Sequence, residues 1–128
     1  MIYNQQDKSD EVFFILSGRI KLFTDLNNRS SNTEEGLDMD TLVGFNLYVE
    51  GTIFGDSDVF AKLDRDSTAI AMHESNLLIL VKKDLKRILR SDPKIEQEML
   101  DLAKKRRENH VEKMCTAILN SPNHTDML

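Results

Sequence analysis

At 128 residues the chain suits one domain with one core, and its 40% hydrophobic and 30% charged residues are ordinary for a soluble globular fold. Its net charge of −5 argues against the broad basic surface of a nucleic-acid binder, while leaving room for local basic patches. A single cysteine, Cys115, excludes an internal disulfide and reads as a small apolar residue on a helix face in a reducing, cytoplasmic setting. No apolar run reaches the length of a membrane span or follows a basic leader.

In chain order, VFFIL (12–16) and IKLF (20–23) are rich in aromatic and β-branched residues, and the Ser17-Gly18 turn between them predicts a hairpin. The polar stretch 25–40 has no periodicity and reads as an exposed, mobile loop at a hairpin tip. Further strands are predicted in TLVGFNLYVE (41–50), STAIAM (67–72) and NLLILV (76–81), the last two joined by a turn at Glu74, Ser75 and Asn76. The glycosylation triplets at Asn28 and Asn123 carry no weight without a secretory leader.

At Lys82 the apolar period changes. Leu85, Ile88 and Leu89, then Ile95, Met99, Leu102 and Ala103 beyond Pro93, recur at helical spacing. Asp92-Pro93 is a stop-and-start signal between two helices. The second runs on through His110 into an apolar stripe of Val111, Met114, Cys115, Ile118 and Leu119. The expected fold class is mainly β with C-terminal helices: an eight-stranded antiparallel jelly-roll β-barrel followed by two or more α-helices. The β-rich part spans 1–81, the C-terminal helices span 82–119, and 120–128 is a frayed tail.

The most informative segment is GTIFGDSDVFAKLDRDSTA (51–69). Gly51 and Gly55 allow positive φ or close approach of a ligand to the backbone. SDVFAKL suits a short helix whose free N–H groups favour an anion. Arg65 adds a planar fork of donors matched to phosphate oxygens. An equally simple reading pairs Arg65 with Asp56, Asp58 or Asp66 in an empty pocket.

Phe54-Gly55-Asp56 and Arg65-Asp66-Ser67-Thr68 stand at the spacing of the phosphate-binding cassette of cyclic nucleotide-binding domains, so 54–68 resembles that cassette. EVFFILSGRIKLF and TAIAMHESNLLILVKKDLKRIL resemble the strand pairs that flank it. SDPKIEQEMLDLAKKRREN resembles the hinge and last helix, in the manner of cyclic nucleotide-regulated cation channels. The resemblance extends from Ile2 to about Val111. It departs at Gln6, where the family has Gly, and lacks a helical element and strand normally found before Met1, as in an excised domain.

The resemblance implies a non-enzymatic regulatory domain that binds cAMP or cGMP and signals through its C-terminal helix, gating a linked cation channel. Alternatives are a regulatory domain of a cyclic nucleotide-dependent kinase, or a degenerate module that binds no nucleotide. It also implies a linked upstream effector and leaves room for a homo-oligomer.

By the same resemblance, the Gly55 backbone and Asp56 hold the ribose hydroxyl. Arg65 holds the phosphate with amides near Ser57 and Asp58 and with Ser67 or Thr68, while Arg106, His110 and Val111 cover the base. Asp58 and Asp66 replace small residues of the family. A carboxylate about 5 Å from the phosphate would cost about 3 kcal/mol at an effective dielectric near 20. Asp58 escapes that cost if it caps the short helix. His73, His110 and His124 have no metal-ligand spacing, no nucleophile stands with a base, and no helix-turn-helix follows the long helix.

Overall fold

The computed structural model describes residues 1–26 and 42–120. Its elements are β1 (Glu11–Ser17), β2 (Arg19–Asp25), β3 (Leu42–Val49), β4 (Ile53–Phe54), α1 (Asp56–Ala61), β5 (Thr68–Ala71), β6 (Asn76–Val81), α2 (Lys82–Arg90) and α3 (Pro93–Leu119). They form two three-stranded antiparallel sheets, ordered β4-β1-β6 and β3-β2-β5, followed by the helices. The jelly-roll-like class expected from the sequence is therefore the observed one.

Two expectations are corrected. Six strands, not eight, occur among the described residues. The N-terminal segment runs beside β5 but keeps only one bridge, Tyr3 to Ala69, with bonds of 2.8 and 3.0 Å. A turn at Gln6 interrupts it. Gln6 has φ 76°, so the glycine-like backbone survives there with a residue that disfavours it.

The β1–β2 hairpin does not form either, because β1 pairs with β4 and β6 while β2 pairs with β3 and β5. At Gly18 (φ 107°) the chain passes from one sheet to the other, and the β5–β6 connection makes the same crossing beside it. A Cβ on Gly18 would lie 2.8 Å from Ser75 Cα, and Asn76 Nδ2 donates to Ser17 Oγ at 2.9 Å. Turn chemistry marks such a corner but does not say which strands pair. The stretch 25–40 lies almost wholly outside the described residues, as does the tail beyond Asn120.

Alternating positions of β1 and β2 face one core of Tyr3, Phe13, Ile15, Ile20, Leu22, Phe54 and Ala69. Phe54 stacks on Phe13 and Tyr48 at centroid distances of 5.0 and 5.5 Å. A smaller cluster, Val12, Val59, Leu85 and Leu89, ties α1 and α2 to the sheet. α3 starts as expected: Pro93 sits in its first turn and Asp92 caps it, accepting from the amides of Lys94 and Ile95. The apolar stripe beyond His110 is not core. Val111, Cys115 and Leu119 are exposed, with Cys115 on a face of α3.

Replacing Gly18 with Ala should destabilise the fold by about 2 kcal/mol or more, since a left-handed φ and a backbone clash coincide. Urea unfolding of Gly18→Ala checks this.

Candidate functional site

The cassette is built around one arginine. β4 ends at Phe54, and Gly55 (φ 79°) turns the chain into α1. A Cβ at Gly55 would sit 2.9 Å from Arg65 Nη1, so glycine is what lets the guanidinium approach. Arg65 is 3% exposed and lies 4.2 Å above the Tyr3 ring. It donates to Gly55 O (2.7 Å), to Glu11 O (2.6 Å) and to Asp58 Oδ2 (3.2 Å). Its Nε and the neighbouring Ser67 Oγ are buried with no hydrogen-bond partner among the described residues.

α3 crosses α1 and β3 and brings its own charges to this cluster. Arg107 bridges Asp58 Oδ1 at 2.7 Å and Asp66 Oδ2 at 2.8 Å. His110, 5% exposed, places Nε2 at 2.8 Å from Asp66 Oδ1 and meets the Phe45 ring edge-on. Arg106 pairs with Asp56 at 3.2 Å and also donates to Ile53 O. Sequence reasoning selected Arg106 and His110 but missed Arg107, Tyr3 and the Glu11 carbonyl. The KKRR run held Arg107 in plain view; helical spacing from His110 to Arg107, one turn, was the available signal.

The other named residues fall into place around this cluster. Phe54 is core. Ser57 is buried beneath α3 and helps line a small cavity with Ala103 and Arg107. Thr68 is fully buried and its hydroxyl accepts from the Gln5 amide at 3.0 Å, securing the N-terminal segment. Val111, next to His110 in α3, is exposed. Asp58 does not cap α1: Gly55 holds the N-cap position, without a side-chain cap. Among the described residues no group of three or more His, Cys, Asp or Glu is placed to hold a metal ion. No described helix is long and apolar enough to cross a membrane.

Burial sets the protonation tendencies. Loss of water pushes the Asp56 and Asp58 carboxyls up; repulsion by Asp66 adds to this at Asp58, and the arginines only partly offset it. Burial pushes Asp66 up as well, but the His110 hydrogen bond, the His110 charge and Arg107 outweigh it and hold Asp66 below the usual carboxylate range. Burial also raises Tyr3. A carboxyl with a depressed folded pKa stabilises the fold above its unfolded pKa and loses that contribution as pH falls through its folded one. Asp66→Asn should thus cost about 2 kcal/mol near neutral pH, and the gap should close as pH falls through the carboxylate range. Chemical denaturation of both proteins across pH measures it.

Known proteins place this geometry in a family. Residues 1–92 match the model of the cyclic nucleotide-binding domain family. The structure is similar to a cyclic nucleotide-binding domain from Methylobacillus flagellatus (16% identity, TM-score 0.67, covering 94% of this chain and 62% of that one). It is also similar to the Thermus thermophilus catabolite activator protein (22%, 0.63), covering 91% of this chain and 50% of that one. For the cAMP-bound EAL enzyme Bd1971 the figures are 20% and 0.59, with 87% and 27% covered. The chain thus spans half or less of the last two. No curated relative matches by sequence. With the family model matched over most of its length and the cassette, sheets and helices in the expected order, the chain belongs to the cyclic nucleotide-binding domain family.

Proposed function

We propose that this domain takes a cyclic nucleotide at the 54–68 cassette and reports occupancy through α3. The observation that carries the reading is Arg65: two backbone carbonyls orient its guanidinium, while its Nε and the adjacent Ser67 Oγ have donor capacity that no described residue uses. An incoming phosphate competes with Asp58 for Arg65, and Asp58 is held by Arg107 of α3. Ligand and helix therefore meet at one carboxylate, which gives the differential contact that coupling requires. Asp56 likewise has to exchange Arg106 for a ribose hydroxyl.

The charge balance favours this reading. Asp56, Asp58 and Asp66 face Arg65, Arg106 and Arg107, and the His110 ring lies against Asp66, so each of the three carboxylates has a partner on α3. The repulsion expected from the two extra aspartates is thus met by α3 rather than left to the ligand.

A second reading has its own support. Arg65 already holds a carboxylate and two carbonyls, as in a domain that uses its cassette to dock α3 and binds no nucleotide. As for the effector, the channel-like C-terminal sequence points to a linked cation channel. Two structures similar to this one are instead a catabolite activator protein and an EAL enzyme. The domain is proposed to serve whichever effector it is fused to, through α3.

Calorimetric titration with cAMP and cGMP separates the readings. Arg65→Ala should weaken binding by about 2–5 kcal/mol, and Asp58→Asn should tighten it. No binding by either wild type or Asp58→Asn, both shown folded by thermal unfolding, would leave the docking scaffold as the function.

A further inference from the structure

A second cavity, of about 440 Å³, lies between α1, α2 and α3 and shares no residue with the Arg65 cluster. That size falls in the range of roughly 300–1,000 Å³ usual for small-molecule sites. Its floor is apolar: Val59, Leu85 and Leu89 are core residues with one side toward it, joined by Phe60 and by Leu100 of α3. Its rim is cationic. Lys82, Lys86 and Arg90 follow one another at four-residue spacing along α2, with Lys62 at the end of α1 and Glu96 the one acid.

Lys62, Lys82, Lys86 and Arg90 make no side-chain ion pair or hydrogen bond with any described residue. Like charges at four-residue spacing repel one another and weaken a helix. The chain as a whole carries a net charge of −5, yet α2 carries five cations against Asp84, which Arg87 already pairs. Arg90 lies in the last turn of α2, where a cation favours the helix end, but Lys82 and Lys86 have no such role, and the rim leaves its cations free to attract an anion.

We propose that this groove binds an amphiphile with one acyl chain and an anionic head group, the chain on Val59, Leu85, Leu89 and Leu100 and the head among Lys82, Lys86 and Arg90. The apolar floor excludes a bare anion as the best occupant, and the unpaired cationic rim excludes a neutral apolar molecule. Because the groove is walled by all three helices, an occupant bears on the α1–α3 contact without entering the cassette. The proposal does not depend on nucleotide binding.

The test is an amide NMR titration of the full chain with dodecanoate kept below micelle formation, alongside dodecanol and acetate as tail and head controls. Dodecanoate should give saturable shifts confined to residues 59–62, 82–90 and 96–100, with each control at least about tenfold weaker. Lys86→Glu and Arg90→Glu, both at exposed positions, should each lower dodecanoate affinity about tenfold while leaving the spectrum folded. Equal response to dodecanol, equal response to acetate, or no saturable shift would each overturn the proposal. Sedimentation with phosphatidylglycerol vesicles distinguishes a free amphiphile from a bilayer lipid. Vesicle binding that dodecanoate displaces keeps the groove as the site, and absence of vesicle binding assigns it to the free molecule. Vesicle binding that dodecanoate cannot displace, together with no shifts in the groove, contradicts it.

Discussion

The Arg107 guanidinium, held between Asp58 and Asp66, is the contact on which the rest of the molecule turns. Asp58 is 2% exposed and shares its other oxygen with Arg65, so the cassette carries a desolvated carboxylate that needs partners from two directions. Taking such charges out of water costs several kcal/mol per ion, and removing one member of a buried pair typically costs about 3–5 kcal/mol. That penalty, more than apolar contact, positions α3. Its side chains beyond His110 are exposed or half-buried, and only Ala103 and His110 along its length are buried among the described residues.

Local chemistry was legible in the sequence. Strand segments, the switch of period at Lys82, the Asp92-Pro93 boundary and the Gly55–Arg65 cassette are each fixed by a few neighbouring residues, and each stands where expected. Non-local choices were not legible. Ser17-Gly18 looks the same in a hairpin as at a corner between sheets, and only the closeness of Ser75 distinguishes them. The N-terminal segment keeps a single bridge, Tyr3 to Ala69, and its turn carries the left-handed Gln6 at the position where the resemblance expects glycine.

The site shows the same division. Arg65 was readable because glycine, helix and arginine are close in sequence. Its companions were not: Tyr3 and Glu11 arrive from the N-terminal side, and Arg107 arrives more than forty positions later from a charge run that reads as a solvated helix face. The two aspartates looked like obstacles to an anion because their partner lay on a distant element. Once α3 is in place they are the other half of an ion-pair cluster, and the question becomes one of exchange rather than repulsion.

Under the proposed function, an exchange of that kind ties the fate of α3 to the cassette. A ligand shifts the helix only by the difference in its affinity for the two arrangements, and moving a population from mostly docked to mostly rearranged takes about 5 kcal/mol of such difference. Loss of the Asp58–Arg65 contact and rearrangement at Arg107 are the contacts available to supply it. Hydrogen exchange over residues 95–115, measured with and without saturating cyclic nucleotide, tests this most directly. The account expects altered protection that centres on Arg106, Arg107 and His110 and disappears in Arg107→Ala. Equal protection in both samples, with nucleotide bound, would contradict it.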